Sequence, residues 1–151
     1  MARTAERDEV VLPFDPLKDY PGYALRRASA AAMQKLARGL RRLDLRPAEA
    51  TVLMVIESNS NISQSEIGRM LDIAGANMAP LVGRLEEREL VERRPVDGRS
   101  HGLQLTAAGR ALNLQAKKTM KSHEEQLLAR IPADTRAAFL TALQALWDID
   151  E

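Results

Sequence analysis

Basic side chains gather in two stretches of this 151-residue chain. Between Arg26 and Arg46 lie seven of them (Arg26, Arg27, Lys35, Arg38, Arg41, Arg42 and Arg46) against one acid, Asp44. Between Arg93 and His101, the cations Arg93, Arg94 and Arg99 stand against Asp97 alone. Grouped guanidinium and ammonium ions are suited to neutralising phosphates, provided that they share a face. The competing reading of the first stretch is a solvated helix face. Other chemistry lacks its residues. With no cysteine there is no disulfide framework, thiolate zinc site, iron–sulfur cluster or thiol redox switch. His101 and His123, the two histidines, leave little material for any other metal site, and no cofactor is expected. Neither paired carboxylates in an expected cleft, nor a nucleophile–base pair, nor a phosphate-cradling glycine loop is found, so the chain does not read as an enzyme.

Charge is partitioned rather than absent. Lys+Arg 22 against Asp+Glu 21 gives a net charge of only +1, yet residues 1–19 carry three basic and five acidic groups and the tail Asp148–Glu151 ends with three acids. An apolar content of 45% argues against wholesale disorder. The length suits one domain, or one compact unit with a dimerising extension. Apolar runs stop far short of the ~20 residues that cross a bilayer, and the first ten residues have no signal-peptide core. A soluble, cytoplasmic protein without membrane contact is the expectation.

The elements that must position these cations are mostly helical. Residues 1–21, with Pro13, Pro16 and Pro21, read as an extended arm. From Gly22 to Leu43, Leu25, Ala28, Ala32, Met33, Leu36 and Leu40 follow helical spacing. Pro47 suits the first position of a second helix that turns Ala50, Leu53, Met54 and Ile56 inward. Ser63 and Glu66 have capping-box spacing, flanked by Ile62 and Ile67 at staple positions, and open a short helix to about Asp72. Ile73-Ala74-Gly75 forms a tight connection to a helix with Met78, Leu81, Val82 and Leu85 on one stripe, a helix-turn-helix pattern. Pro80 would be harmless in that helix within its first turn, which puts the start near Ala76 or Asn77. Alternation then replaces helical spacing: Val91–Arg94 and Leu103–Leu105 flank Asp97-Gly98, a hairpin that reads as a wing. Thr106 suits the cap of a long helix to about Arg130, and a last helix presents Phe139, Leu140, Leu143, Leu146 and Trp147 on one side.

Four segments in series carry a resemblance: Ser63-Gln64-Ser65-Glu66-Ile67-Gly68, Leu81-Val82-Gly83-Arg84-Leu85-Glu86, Val91-Glu92-Arg93 with Asp97-Gly98-Arg99-Ser100, and Leu105-Thr106-Ala107-Ala108-Gly109. In order and spacing they resemble the winged-helix core of the MarR family of bacterial transcriptional regulators. The resemblance implies a mainly α fold with a small β-wing, in which a winged helix-turn-helix DNA-binding domain (46–109) is flanked by N- and C-terminal dimerisation helices (22–45 plus 110–151). Two departures stand out. Ala79-Pro80 replaces the family's usual Thr/Ser-Arg on the recognition helix, and the wing tip carries one arginine where two are usual.

DNA binding needs a helix end in the major groove and cations on the phosphates. Ala76, Asn77, Met78 and Arg84 are the recognition-helix candidates. Asn77 suits either an adenine contact or a helix cap, and Arg84 either a phosphate or a nearby Glu. Gln64 and Ser65 suit phosphate contacts at a helix start. Arg94, Ser100 and His101 are wing candidates, and Arg99 resembles the family's minor-groove arginine. The resemblance further implies a homodimer on a pseudo-palindromic operator and a small anionic or aromatic effector, such as an aromatic acid or its coenzyme A thioester. Tyr23, Arg26 and Arg27 offer such a ligand a ring and two cations; the alternative is a packed tyrosine with solvated arginines. The missing cysteines turn the expectation from redox to ligand control. The competing function is a winged helix that binds protein and no DNA.

Overall fold

The computed structural model describes residues 15–96 and 101–146. The chain divides into two units, Met1–Ala31 and Ala32–Glu151, and helix α1 (Pro21–Leu40) contributes residues to each. Pro21 opens α1, one residue before the expected start, because a first helical position needs no N–H. The Ala24 N–H donates to the Tyr20 carbonyl at 3.0 Å.

In the second unit a 3-10 turn, Arg41–Leu43, follows α1 and ends at Asp44 in the left-handed region (φ 51°). Then come α2 (Pro47–Ser58), α3 (Gln64–Met70), α4 (Gly75–Glu87), strands β1 (Val91–Pro95) and β2 (His101–Leu105), α5 (Ala107–Leu128) and α6 (Arg136–Ala145). The core forms where these elements turn their apolar stripes together. α2 gives Ala50, Val52, Leu53 and Ile56, α3 gives Ile67, α4 gives Met78, Leu81, Val82 and Leu85, and the hairpin gives Val91, Leu103 and Leu105. Val52 is fully buried while Met54, expected inward, is half-buried. Each fully buried Leu or Ile contributes about 1.5–3 kcal/mol relative to exposure.

The helix-turn-helix is fixed by local chemistry. The Ser63 N–H donates to Glu66 Oε2 at 2.8 Å and the Glu66 N–H to Ser63 Oγ at 3.3 Å, which is the expected capping box. α3 ends at Met70, two residues before the expected stop. The chain reverses through Asp72, whose φ of 50° is left-handed, and the Ile73 N–H bonds the Gly68 carbonyl at 2.8 Å. Asp72, not Gly75, therefore carries the unusual turn geometry. Gly68 is needed for close approach, since a Cβ there would come within 3.0 Å of the Ile73 carbonyl and 3.2 Å of Met78 Cγ.

α4 starts at Gly75 with Ala74 as its cap residue, which corrects the expected position of Pro80. Pro80 lies in the second turn, so the Ala76 carbonyl lacks its usual i+4 donor. Ala76 is exposed, and water can bond that carbonyl at modest cost.

β1 and β2 pair antiparallel, Val91 opposite Leu105 and Pro95 opposite His101. Ile62 joins them: the Leu103 N–H donates to the Ile62 carbonyl at 2.8 Å. Gly102 permits that approach, because a Cβ would fall 2.4 Å from the Asn61 carbonyl oxygen. The Leu-Thr-x-x-Gly segment then turns the wing into α5. Thr106 Oγ1 accepts from the Gly109 N–H at 2.9 Å and donates to the Glu89 carbonyl at 2.6 Å. A Cβ at Gly109 would overlap the Leu90 carbonyl oxygen, at 1.9 Å, so glycine is required there.

α5 ends at Leu128, slightly before the expected break at Ile131-Pro132. No residue of α6 is buried, and Phe139 and Leu140 are exposed on it. Trp147 lies outside the described residues. No helix among the described residues is long and apolar enough to cross a membrane.

Candidate nucleic-acid interface

α3 and the start of α4 border a groove lined by Gln64, Ser65, Arg69 and Gly75. Ala76, Asn77, Ala79 and Pro80 are exposed along the N-terminal half of α4. Asn77 is not the helix cap. Ala74 occupies that position, without a side-chain bond, and Asn77 stands three residues on with its amide at the surface. Two other recognition-helix candidates are corrected. Met78 is 1% exposed and belongs to the core with Leu81, Val82 and Leu85, so it cannot meet a base. Arg84 Nε lies 2.9 Å from Oε1 of Glu49, a residue only 4% exposed, so the Glu-paired reading of Arg84 holds and it ties α4 to α2.

Gln64 and Ser65 lie in the first turn of α3. Gln64 Oε1 accepts from Arg93 Nη2 at 3.2 Å, which turns the amide NH2 outward as the remaining donor. Arg93 in turn grips Glu86 with Nε at 2.7 Å and Nη2 at 3.2 Å. One guanidinium thus links wing, recognition helix and α3, a role that no local pattern announces. Arg69, four residues after Ser65 and on the same helical face, is exposed beside the groove. Arg69 is not among the candidates drawn from the sequence, although its i,i+4 spacing from Ser65 is a legible signal. At the foot of the wing, Arg94 pairs with Glu92 at 2.7 Å and His101 is exposed opposite Pro95. Arg99 and Ser100 lie outside the described residues.

Electrostatics follows the caps. The Ser63 hydroxyl, at 2.6 Å, and then the Ser63 N–H hold the Glu66 carboxyl below its ordinary pKa of 4.5. In the first unit, the Arg26 and Arg27 guanidinium groups lie over the Tyr23 ring, 5.2 and 5.8 Å from its centroid. Tyr23 is half-buried, both arginines are exposed, and Arg27 is 3.8 Å from Asp15. Both arginine candidates therefore face the ring of the third, Tyr23.

Residues 43–100 match the model of the MarR family. A solved structure of the transcriptional repressor CouR bound to p-coumaroyl-CoA is 33% identical, covering 91% of this chain and 98% of that one with a TM-score of 0.83. The chain belongs to the MarR family. CouR bound to a 23-mer DNA duplex matches at 34% identity over 89% of this chain and 97% of that one, TM-score 0.81. The MarR family protein Rv2887 of Mycobacterium tuberculosis in complex with salicylic acid is 28% identical over 83% of this chain and 95% of that one, TM-score 0.68. As a MarR-family transcriptional regulator the chain is mainly helical with a two-stranded antiparallel wing.

Proposed function

We propose that this chain is a homodimeric, sequence-specific DNA-binding repressor released by a small anionic or aromatic ligand. The observation that carries the reading is the exposed first turn of α4 beside the start of α3. It presents Asn77 to read a base and Gln64, Ser65 and Arg69 to hold phosphates. Ala76, Ala79 and Pro80 complete that surface, so much of its readout is apolar contact with thymine methyl groups. Arg94, Arg99, Ser100 and His101 serve the wing. Residues 46–109 form the DNA-binding domain, and 22–45 with 110–151 the dimerisation region, preceded by the arm 1–21. The dimer reading draws on apolar side chains left exposed: Leu25 and Met33 on α1, Leu114 and Leu128 on α5, Phe139 and Leu140 on α6.

CouR is solved both with DNA and with p-coumaroyl-CoA, and Rv2887 with salicylic acid, which supports ligand control by an aromatic acid or its thioester. Tyr23, Arg26 and Arg27 are the residues we assign to such a ligand. The test is fluorescence anisotropy with the DNA upstream of the chain's own gene. Tight binding is expected, with p-coumaroyl-CoA or salicylate weakening it roughly 5–150-fold, the usual span of allosteric coupling. Asn77→Ala should weaken specific binding by about 1–3 kcal/mol and leave non-specific binding unchanged. Equal affinity of wild type for this DNA and for random duplex would sink the repressor reading.

A further inference from the structure

Arg93 stands at the centre of β1, opposite Leu103, and the Leu103 N–H is bonded to the Ile62 carbonyl, two residues ahead of Gln64. Docking the hairpin there brings the Arg93 guanidinium within reach of both α3 and α4. Its Nε and Nη2 grip the two Glu86 oxygens at 2.7 and 3.2 Å, and Nη2 also donates to Gln64 Oε1 at 3.2 Å. The Arg93 and Glu86 side chains are 43% and 29% exposed. An ion pair so open to water contributes little to stability, so its main consequence is geometric.

We propose that Arg93 is a positioning residue for DNA binding: held by Glu86, it takes up the Gln64 oxygen and presents the Gln64 NH2 group to a backbone phosphate, without touching DNA itself. The chemistry of the three groups dictates this. A carboxylate gripped at both oxygens holds the guanidinium plane, and with it the direction of the Nη2 hydrogens. A guanidinium only donates, so the amide that meets it must turn its oxygen inward. A glutamine with both ends free can pair with N6 and N7 of adenine, which requires an acceptor as well as a donor. With Oε1 occupied, Gln64 offers donors alone, and phosphate oxygens are acceptors whatever the base sequence. Glu86 meanwhile compensates the Arg93 charge, so the cation serves to orient its neighbour rather than to neutralise a phosphate. Gln64 thereby becomes a register-setting contact, and the choice of base falls to the exposed face of α4. The proposal rests on the DNA-binding reading above and adds to it the residue that sets the polarity of one contact.

The experiment is a mutant cycle on the full-length protein, read by fluorescence anisotropy with the DNA upstream of the chain's own gene. Glu86→Ala/Arg93→Ala removes the relay without changing net charge, and Gln64→Ala removes its receiver. Each should weaken binding at least threefold, the order of one lost hydrogen bond per protomer. The triple variant should lie within about twofold of Gln64→Ala alone, because Arg93 acts through Gln64. Arg93→Lys keeps the charge beside Glu86 but not the planar fork, and should lose at least twofold. The slope of log affinity against log salt should stay at the wild-type value throughout, since a neutral amide neutralises no phosphate. In the DNA-free protein, nitrogen-15 relaxation should show the Gln64 side-chain amide ordered in wild type and mobile in the pair variant and in Arg93→Lys. Losses that multiply in the triple variant, full affinity in Arg93→Lys, or a slope reduced by about one or more overturn the proposal, as does a Gln64 amide already mobile in wild type. A wild type that binds no DNA defeats the repressor reading instead, whereas DNA binding with independent losses defeats the relay alone.

Discussion

Glu49 ties the recognition helix to α2, beside the core contacts of Met78, Leu81, Val82 and Leu85. Its Oε1 accepts from Arg84 Nε at 2.9 Å and its Oε2 from the Arg46 N–H at 2.8 Å, so one nearly buried carboxylate joins the start of α2 to the middle of α4. Removing Arg84 would leave one oxygen of a 4%-exposed carboxylate without its donor. The Arg84 side chain is 39% exposed, so solvent screens the pair and the loss is smaller than for a fully buried one. We expect Arg84→Met to lower unfolding free energy by about 1–2 kcal/mol in urea titration, and Glu49→Leu combined with it to recover part of that loss. A double variant no more stable than the single one would contradict this account. The pair spans 35 positions, and nothing local in the sequence announces it. Met78 is the opposite case. Its place on the stripe with Leu81, Val82 and Leu85 marks it as a core residue in the sequence itself, and that periodicity outweighs its position near the start of the recognition helix.

At the scale of elements, what was legible was local. The Ser63/Glu66 capping box, Pro47 at the start of α2, and Thr106 at the start of α5 each act within one helical turn, so spacing alone identified them. The long-range fits were not legible: Gly102 against Asn61, Gly109 against Leu90, and the approach of α1 to α5 at Gly39. These require knowing which distant backbones meet. The capping box also makes α3 sensitive to acid. Because the Glu66 pKa is lowered on folding, its stabilisation is full above the ordinary glutamate range and is lost as pH falls through the folded value. Ser63→Ala should therefore be less stable than wild type at neutral pH, with the gap in melting temperature shrinking below about pH 4. A gap that stays constant or widens on acidification would show that Glu66 draws no stability from Ser63.

For the whole molecule, near-neutral total charge conceals a division of labour. Residues 1–19 and the tail are net acidic, while the stretches Arg26–Arg46 and Arg93–His101 are net basic. Two copies would double each basic patch while the net charge stays small, and two recognition helices would address successive major grooves. The absence of any buried residue on α6, with Phe139 and Leu140 exposed, is the feature that argues most directly for a partner. Leu140→Asp is expected to shift sedimentation from dimer toward monomer and to cost operator affinity with it; an intact dimer would move the interface elsewhere. The central claim, that paired helix-turn-helix surfaces grip DNA through phosphates, is tested most directly by the salt dependence of affinity for the DNA upstream of the chain's own gene. Between about 50 and 200 mM salt we predict a steep linear fall of log affinity with log salt, amounting to about a thousandfold or more if the dimer makes six or more phosphate contacts. An affinity that stays flat across that range would contradict the account.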